Sequence, residues 1–254
     1  MGYQCIEVDR AGDVTTITMN MPERRNALSL AHLSELLHAF EEVGETSAKG
    51  VILAANGPVF SAGHDLSEVA GLDLVGTREL LQMCTRVMEA MQSIPQVVIA
   101  RVHALATAAG CQLVASTDLA IAADTAAFAT PGGQGGWFCH TPLVAVARAV
   151  GARRALELGI LGERIDAATA LDWGLVHRVV PAADLDSATD ELMAKATRGS
   201  ALSKGLGKQA FYTQVGMPQP QAYAYAIEVM ASSGQLPDAK EGMHAFVEKR
   251  PPRW

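Results

Sequence analysis

The chain has 254 residues, of which 49% are hydrophobic, 19% charged and 5% aromatic, with a formal net charge of −7. That apolar share supplies a full core and excludes a disordered chain, while the acidic balance argues against nucleic acid as a partner, because phosphate neutralisation needs a basic face. No apolar run reaches the roughly 18–20 residues needed to span a bilayer, and residues 1–20 carry no basic segment leading into an apolar one, so the expected location is cytoplasmic.

In chain order, Cys5–Asn20 alternates apolar and polar residues around Ala11–Gly12–Asp13, which predicts a hairpin with strands near 4–9 and 14–19. Asn26–Val43 repeats Leu28, Leu30, Leu33, Leu36, Leu37 and Phe40 at helical spacing, with Ser29 as the cap. Gly50–Ala55 is a short apolar strand, and Asn56–Gly57–Pro58 turns the chain into Phe60–Leu66. Thr77–Ser93 is a second helix that ends at Pro95; Val97–Val102 is a buried strand, Gln112–Ser116 a helix and Leu119–Ala123 another strand. Short, almost wholly apolar strands alternating with helices give an α/β fold with covered sheet faces. From Pro142 the pattern turns helical: Pro142–Leu161, Asp166–Trp173, Leu185–Thr197, Lys204–Val215, Pro220–Ser233 and Ala239–Lys249, with an extended run over Leu175–Val180. Cys5, Cys84, Cys111 and Cys139 are far apart without a C-x-x-C pair, so they read as buried hydrophobes and no metal site is expected.

Two small-residue loops, each after a buried strand, carry the chemistry. In Ser61–Ala62–Gly63–His64–Asp65, Gly63 permits torsions that free the His64 amide to face a cavity. In Thr107–Ala108–Ala109–Gly110–Cys111–Gln112 a helix starts with nothing larger than a methyl group near its first turn, where amides lack internal partners and face the positive end of the dipole. Two such amides converging on one oxygen form an oxyanion hole, suited to a thioester carbonyl that gains negative charge. Small residues at a helix start also serve as packing devices, so it is the ordered pair of loops that points to function.

With these loops the sequence resembles the crotonase, or enoyl-CoA hydratase/isomerase, superfamily. The resemblance runs from Met21–Ser29 through both loops and on through Asp118–Ala122, Phe128–Pro131, Leu161–Ala167, Trp173–Val176 and Glu241–Met243. It implies ββα units wound into a spiral over residues 1–195, and a helical C-terminal trimerisation region over 196–254. It also implies an acyl-CoA thioester as ligand, a homotrimer or dimer of trimers, a place in fatty-acid or acyl-CoA metabolism, and no cofactor beyond the coenzyme A moiety. By matching position, His64 and Ala109 would supply the oxyanion amides. Arg24, Arg25 and the backbone from Ala62 through Gly63, His64 and Asp65 to Leu66, with Gly110, would meet the coenzyme A. Phe246 and Lys249 lie where a neighbouring subunit helps to hold the adenine.

The hydratases of this family use two glutamates, a carboxylate pair about one water apart for general acid/base work. The matching positions here are Gln112 and Gly132, so both carboxylates are missing. Gln112 can orient a water or carbonyl but cannot take a proton. His140 is the titratable candidate that remains, as general base or acid, or simply as a helix-preceding surface residue. The His64 side chain either lines the acyl pocket or covers the pantetheine; Trp137 and Phe138 either roof the pocket or pack. Cys139 is a nucleophile only if its thiol is unusually acidic. Two functions follow: an acyl-CoA enzyme acting by oxyanion stabilisation, with hydration in doubt, or a catalytically silent acyl-CoA-binding module or partner-regulating paralogue.

Overall fold

The computed structural model describes residues 2–254. The hairpin forms as expected: β1 (Ile6–Ala11) and β2 (Val14–Met19) pair antiparallel, with Gly12 at φ +59° in the turn. There follow α1 (Leu30–Gly44), β3 (Gly50–Ala55), the one-turn α2 (Leu66–Val69), α3 (Leu74–Ser93), β4 (Val97–Val102), β5 (Ala106–Thr107), α4 (Ala109–Ser116), β6 (Leu119–Ala123) and β7 (Ala127–Ala129). The remainder comprises α5 (His140–Val150), α6 (Ala152–Leu161), β8 (Ile165–Asp166), α7 (Ala167–Trp173), β9 (Arg178–Val180), α8 (Leu185–Thr197), α9 (Ala201–Gln214), α10 (Gln219–Ser233) and α11 (Pro237–Val247).

The main sheet has the order β1-β2-β3-β4-β6-β9, and every pair after the first hairpin is parallel. Alternation along β3 explains its unbroken apolar run. Val51, Leu53 and Ala55 face the large core with α1 and α3, while Ile52 and Ala54 face a second core with Leu185, Leu192 and Met193 of α8. Both faces are covered, which is the usual condition for a parallel sheet. Because β3 and β4 are parallel neighbours, the loops that follow them leave the same carboxyl edge, where open α/β sheets place their ligands.

Several boundaries differ from the sequence expectation. The helix expected over Pro142–Leu161 is two helices, because Gly151 at φ +80° ends α5 and begins α6. Helix α1 starts at Leu30, capped by Ser29, whose Oγ accepts from the His32 amide. Asn26, expected inside that helix, is held at φ +49° in the preceding loop. Helix α3 starts at Leu74 because Asp73 caps it by accepting from the Gly76 amide. A second sheet of order β5-β7-β8 was not expected, since strands of two or three residues are too short to show a period. Asp118 and Lys208 form a buried ion pair at 2.8 Å that fastens α9 beneath the main sheet, with Lys208 also donating to the Met91 and Gln96 carbonyls.

Candidate oxyanion site

The two loops touch. Ser61 and Ala106 form a parallel bridge, and the Thr107 amide donates to the Ser61 carbonyl at 3.0 Å. Glycines stand where the loops meet. A Cβ at Gly110 would lie 2.6 Å from the Ser61 carbonyl oxygen, and one at Gly63 would lie 2.9 Å from Ala108 Cβ and 3.1 Å from the Ala109 nitrogen. Gly63 holds φ +84°. Ala108, at φ +51° and ψ −118°, adopts a backbone that L-residues rarely take, and its amide donates to the Ala129 carbonyl at 2.9 Å.

With alanine at its N-cap, α4 has no side-chain cap. The Ala109 amide, first in the helix, donates to no protein acceptor among the described residues. The His64 amide is left free for a different reason. Its neighbours are used, since the Gly63 carbonyl accepts from Leu28 and the Asp65 amide donates to the Leu28 carbonyl, whereas the His64 N–H donates to no protein acceptor among the described residues. Both residues line one cavity of about 350 Å³. Its other walls are largely apolar, with Leu66, Leu81, Pro131, Trp137, Phe138 and Pro142, and neither a carboxylate nor a Lys or Arg lines it.

The His64 side chain packs beside this site. Its Nδ1 lies 3.4 Å from the Leu28 carbonyl oxygen, its Nε2 is buried without a partner, and the Trp137 ring stands 6.0 Å away. Burial holds this imidazole below the ordinary histidine pKa. His140, the first residue of α5, also lines the cavity but is exposed at its rim, with its ring 5.1 Å from Phe138. Gln112 is buried on α4 with Oε1 unpartnered, and it is not part of the cavity lining.

At Gly132 the loop has closed on itself. Its carbonyl accepts from the Gly135 and Trp137 amides, its own amide donates to Cys139 Sγ at 3.3 Å, and a Cβ there would lie 2.1 Å from the Trp137 carbonyl oxygen. No side chain fits at this position without moving residues 132–139. Cys139 is buried, and burial raises its thiol pKa, which is the wrong direction for a nucleophile.

Around the first loop, Arg24 pairs with Asp65 at 2.8 Å. Asp65 caps α2 through Ser67, and hydrogen bonds from Ser67 hold its carboxyl below the usual range. The Arg25 carbonyl accepts from the Ala62 amide, and its side chain is exposed. Sequence reasoning missed Asn26, which is fully buried. Its Nδ2 donates to the Asn56, Val59 and Phe60 carbonyls, its Oδ1 accepts from Met21, and its carbonyl accepts from Ser61 Oγ. The signal that could have found it is an asparagine between two polar turns, the residue type most tolerant of φ > 0 after glycine. Phe246 and Lys249 are not brought to the cavity within one chain. Phe246 is 86% exposed in a separate hollow beside Trp254, and Lys249 is exposed after α11.

The sequence profile described as enoyl-CoA hydratase/isomerase matches residues 9–254. The chain is 43% identical over 248 residues to mouse enoyl-CoA hydratase domain-containing protein 3, mitochondrial, a match covering 95% of this chain and 81% of that protein. It is 31% identical over 263 residues to a probable enoyl-CoA hydratase of Rhodobacter capsulatus, covering 100% and 99%. Among solved structures, an enoyl-CoA hydratase of Mycobacterium smegmatis superposes with a TM-score of 0.96 at 43% identity, covering 99% of each chain. Human enoyl-CoA hydratase domain-containing protein 3 superposes with a TM-score of 0.94 at 41% identity, covering 99% of this chain and 100% of the other.

Proposed function

The chain belongs to the enoyl-CoA hydratase/isomerase family, and from that premise we propose that it binds an acyl-CoA thioester with the carbonyl oxygen between the His64 and Ala109 amides. The single observation that carries this reading is that His64 and Ala109, whose amides donate to no protein acceptor among the described residues, line one largely apolar cavity. Such donors cost no reorganisation when charge develops on the oxygen, so they favour an enolate or tetrahedral oxyanion over the neutral ester. The acyl chain lies against Leu66, Leu81, Trp137 and Phe138. The nucleotide end runs toward the Ala62–Leu66 backbone and the exposed Arg25, while Arg24 is held by Asp65. Phe246 and Lys249 reach an adenine from a neighbouring copy in a homotrimer or dimer of trimers. The apolar side chains left exposed on α9–α11, among them Phe211, Ile227 and Met230, support that assembly.

Hydration is not the reaction this site favours. The positions that match the hydratase glutamates are Gln112, which cannot take a proton, and Gly132, where no side chain fits. Gln112 lies outside the cavity lining, and His140 stands exposed at the rim. A second reading, a catalytically silent acyl-CoA-binding module, is favoured by one observation, the absence of any carboxylate from the cavity lining. The proposed compartment is the cytoplasm, although the mouse relative is named mitochondrial. Calorimetric titration with coenzyme A, butyryl-CoA and octanoyl-CoA tests the reading, alongside Ala109→Pro, which removes one amide at a helix position that tolerates proline. The acyl esters bind more tightly than coenzyme A in the native chain and lose that advantage in Ala109→Pro. No acyl-CoA binding by the native chain refutes the proposal.

A further inference from the structure

Helix α3 carries a stripe of residues at helical spacing on its outer face, among them Thr77, Arg78, Gln82, Thr85 and Arg86. They line an open furrow of about 650 Å³. Leu81 stands in the middle of that stripe, and it lines the oxyanion cavity as well. Thr141, the second residue of α5, is the other residue common to both. The cavity and the furrow thus share one wall, built from a half-buried leucine and a short hydroxyl side chain.

We propose that Leu81 sets the length of acyl chain this site accepts. This rests on the acyl-CoA reading above. A chain that starts at the oxyanion amides runs along apolar walls until it meets Leu81, and beyond that side chain lies the furrow. At about 350 Å³ the cavity is at the small end for ligand pockets, which suits short- and medium-chain esters. Shortening the side chain at position 81 opens the cavity into the furrow and admits the longer chains that the native wall turns back.

The other large side chains of the cavity do not form this wall. Leu66 and Trp137 are exposed, so they border solvent. Phe138 is wedged against α6, where a Cβ at Gly159 would lie 3.0 Å from its Cζ. None of the three lines the furrow. Nor can α3 step aside. Leu80, Cys84, Val87, Met88 and Met91 bury its inner face in the core, and Thr85 Oγ1 donates to the Leu81 carbonyl at 2.9 Å. The boundary is therefore set by the side chain at position 81 and not by movement of the helix.

The test is calorimetry of the full chain with butyryl-, octanoyl- and dodecanoyl-CoA, read as the affinity for each longer ester relative to butyryl-CoA. A merely structural role weakens all three esters alike and leaves these ratios in place. Leu81→Ala raises the dodecanoyl-to-butyryl ratio by about 10-fold or more, the low end of what one methylene is worth in an apolar pocket. Leu81→Phe lowers the octanoyl-to-butyryl ratio. Thr85→Trp fills only the furrow: alone it leaves both ratios at their native values, and combined with Leu81→Ala it removes the gain. An unchanged dodecanoyl-to-butyryl ratio in Leu81→Ala overturns the proposal. So does a fall in that ratio from Thr85→Trp alone, since the native chain would then already reach past Leu81. If Leu81→Ala does not fold, Leu81→Phe decides, and an unchanged octanoyl-to-butyryl ratio there overturns the proposal. Failure of the native chain to bind any acyl-CoA is a different result and sinks the acyl-CoA reading with it.

Discussion

Substituting Gly110 by alanine tests whether close approach of the two loops sets the site. The new Cβ would lie 2.6 Å from the Ser61 carbonyl oxygen, against the 3.4 Å at which ordinary contact begins, a shortfall of about 0.8 Å. Neither side yields easily. The Ser61 carbonyl accepts from Thr107, and Ser61 Oγ donates to the Asn26 carbonyl while accepting from the Gly63 amide. On the other side, α4 is buried from Ala109 through Val114. Overpacking of this kind costs about 1–3 kcal/mol. Ser61 is bonded to Gly63, so the displacement passes directly to the His64 amide. Misplacement of a reacting group by about 1 Å is worth about 10²-fold in rate. Urea unfolding with calorimetry of butyryl-CoA measures both effects, and the variant loses stability together with acyl-ester affinity. Gly207→Ala is the control: Gly207 is exposed in mid-helix with nothing near its Cβ position, so alanine adds about 0.5–1 kcal/mol. Unchanged stability and affinity in Gly110→Ala would refute the idea that loop contact sets the amides.

Gly132→Glu does not install hydratase activity, because its Cβ would meet the Trp137 carbonyl oxygen at 2.1 Å; the variant loses at least the about 1–3 kcal/mol of overpacking and leaves crotonyl-CoA absorbance unchanged. Lys208→Met strands the Asp118 carboxylate, whose burial already raises its pKa, and costs about 3–5 kcal/mol in urea unfolding. His32 and His64 are both held below the ordinary histidine pKa by burial, so the unfolded chain binds more protons as pH falls below its value of about 6.5. Stability is therefore full above that pH and declines below it, with a limiting slope of about 1.4 kcal/mol per pH unit for each histidine. Urea midpoints from pH 8 to 5 show the decline, and His32→Gln makes it shallower; a flat profile contradicts the assignment.

The α/β fold with covered sheet faces was legible in the sequence because β3, β4 and β6 are short, almost wholly apolar runs, and both loops were legible because small residues dominate them. The break at Gly151 was not, since a glycine between two stretches of one helical period carries no sign of its φ. The role of Asn26 was hidden because its partners lie some 30 residues away, at Asn56, Val59 and Phe60. Nothing in the sequence at Gly132 showed that the Trp137 carbonyl fills the space of a side chain there. The placement of the His64 ring beside the Leu28 carbonyl is a contact that only the folded loops create.

Isotope-edited infrared spectroscopy of butyryl-CoA labelled with ¹³C at the thioester carbonyl tests the oxyanion hole most directly. Hydrogen bonds from the His64 and Ala109 amides lower the carbonyl stretching frequency of the bound ester relative to the ester in water, and Ala109→Pro returns part of that shift. A bound ester whose band stays at its solution frequency contradicts the account.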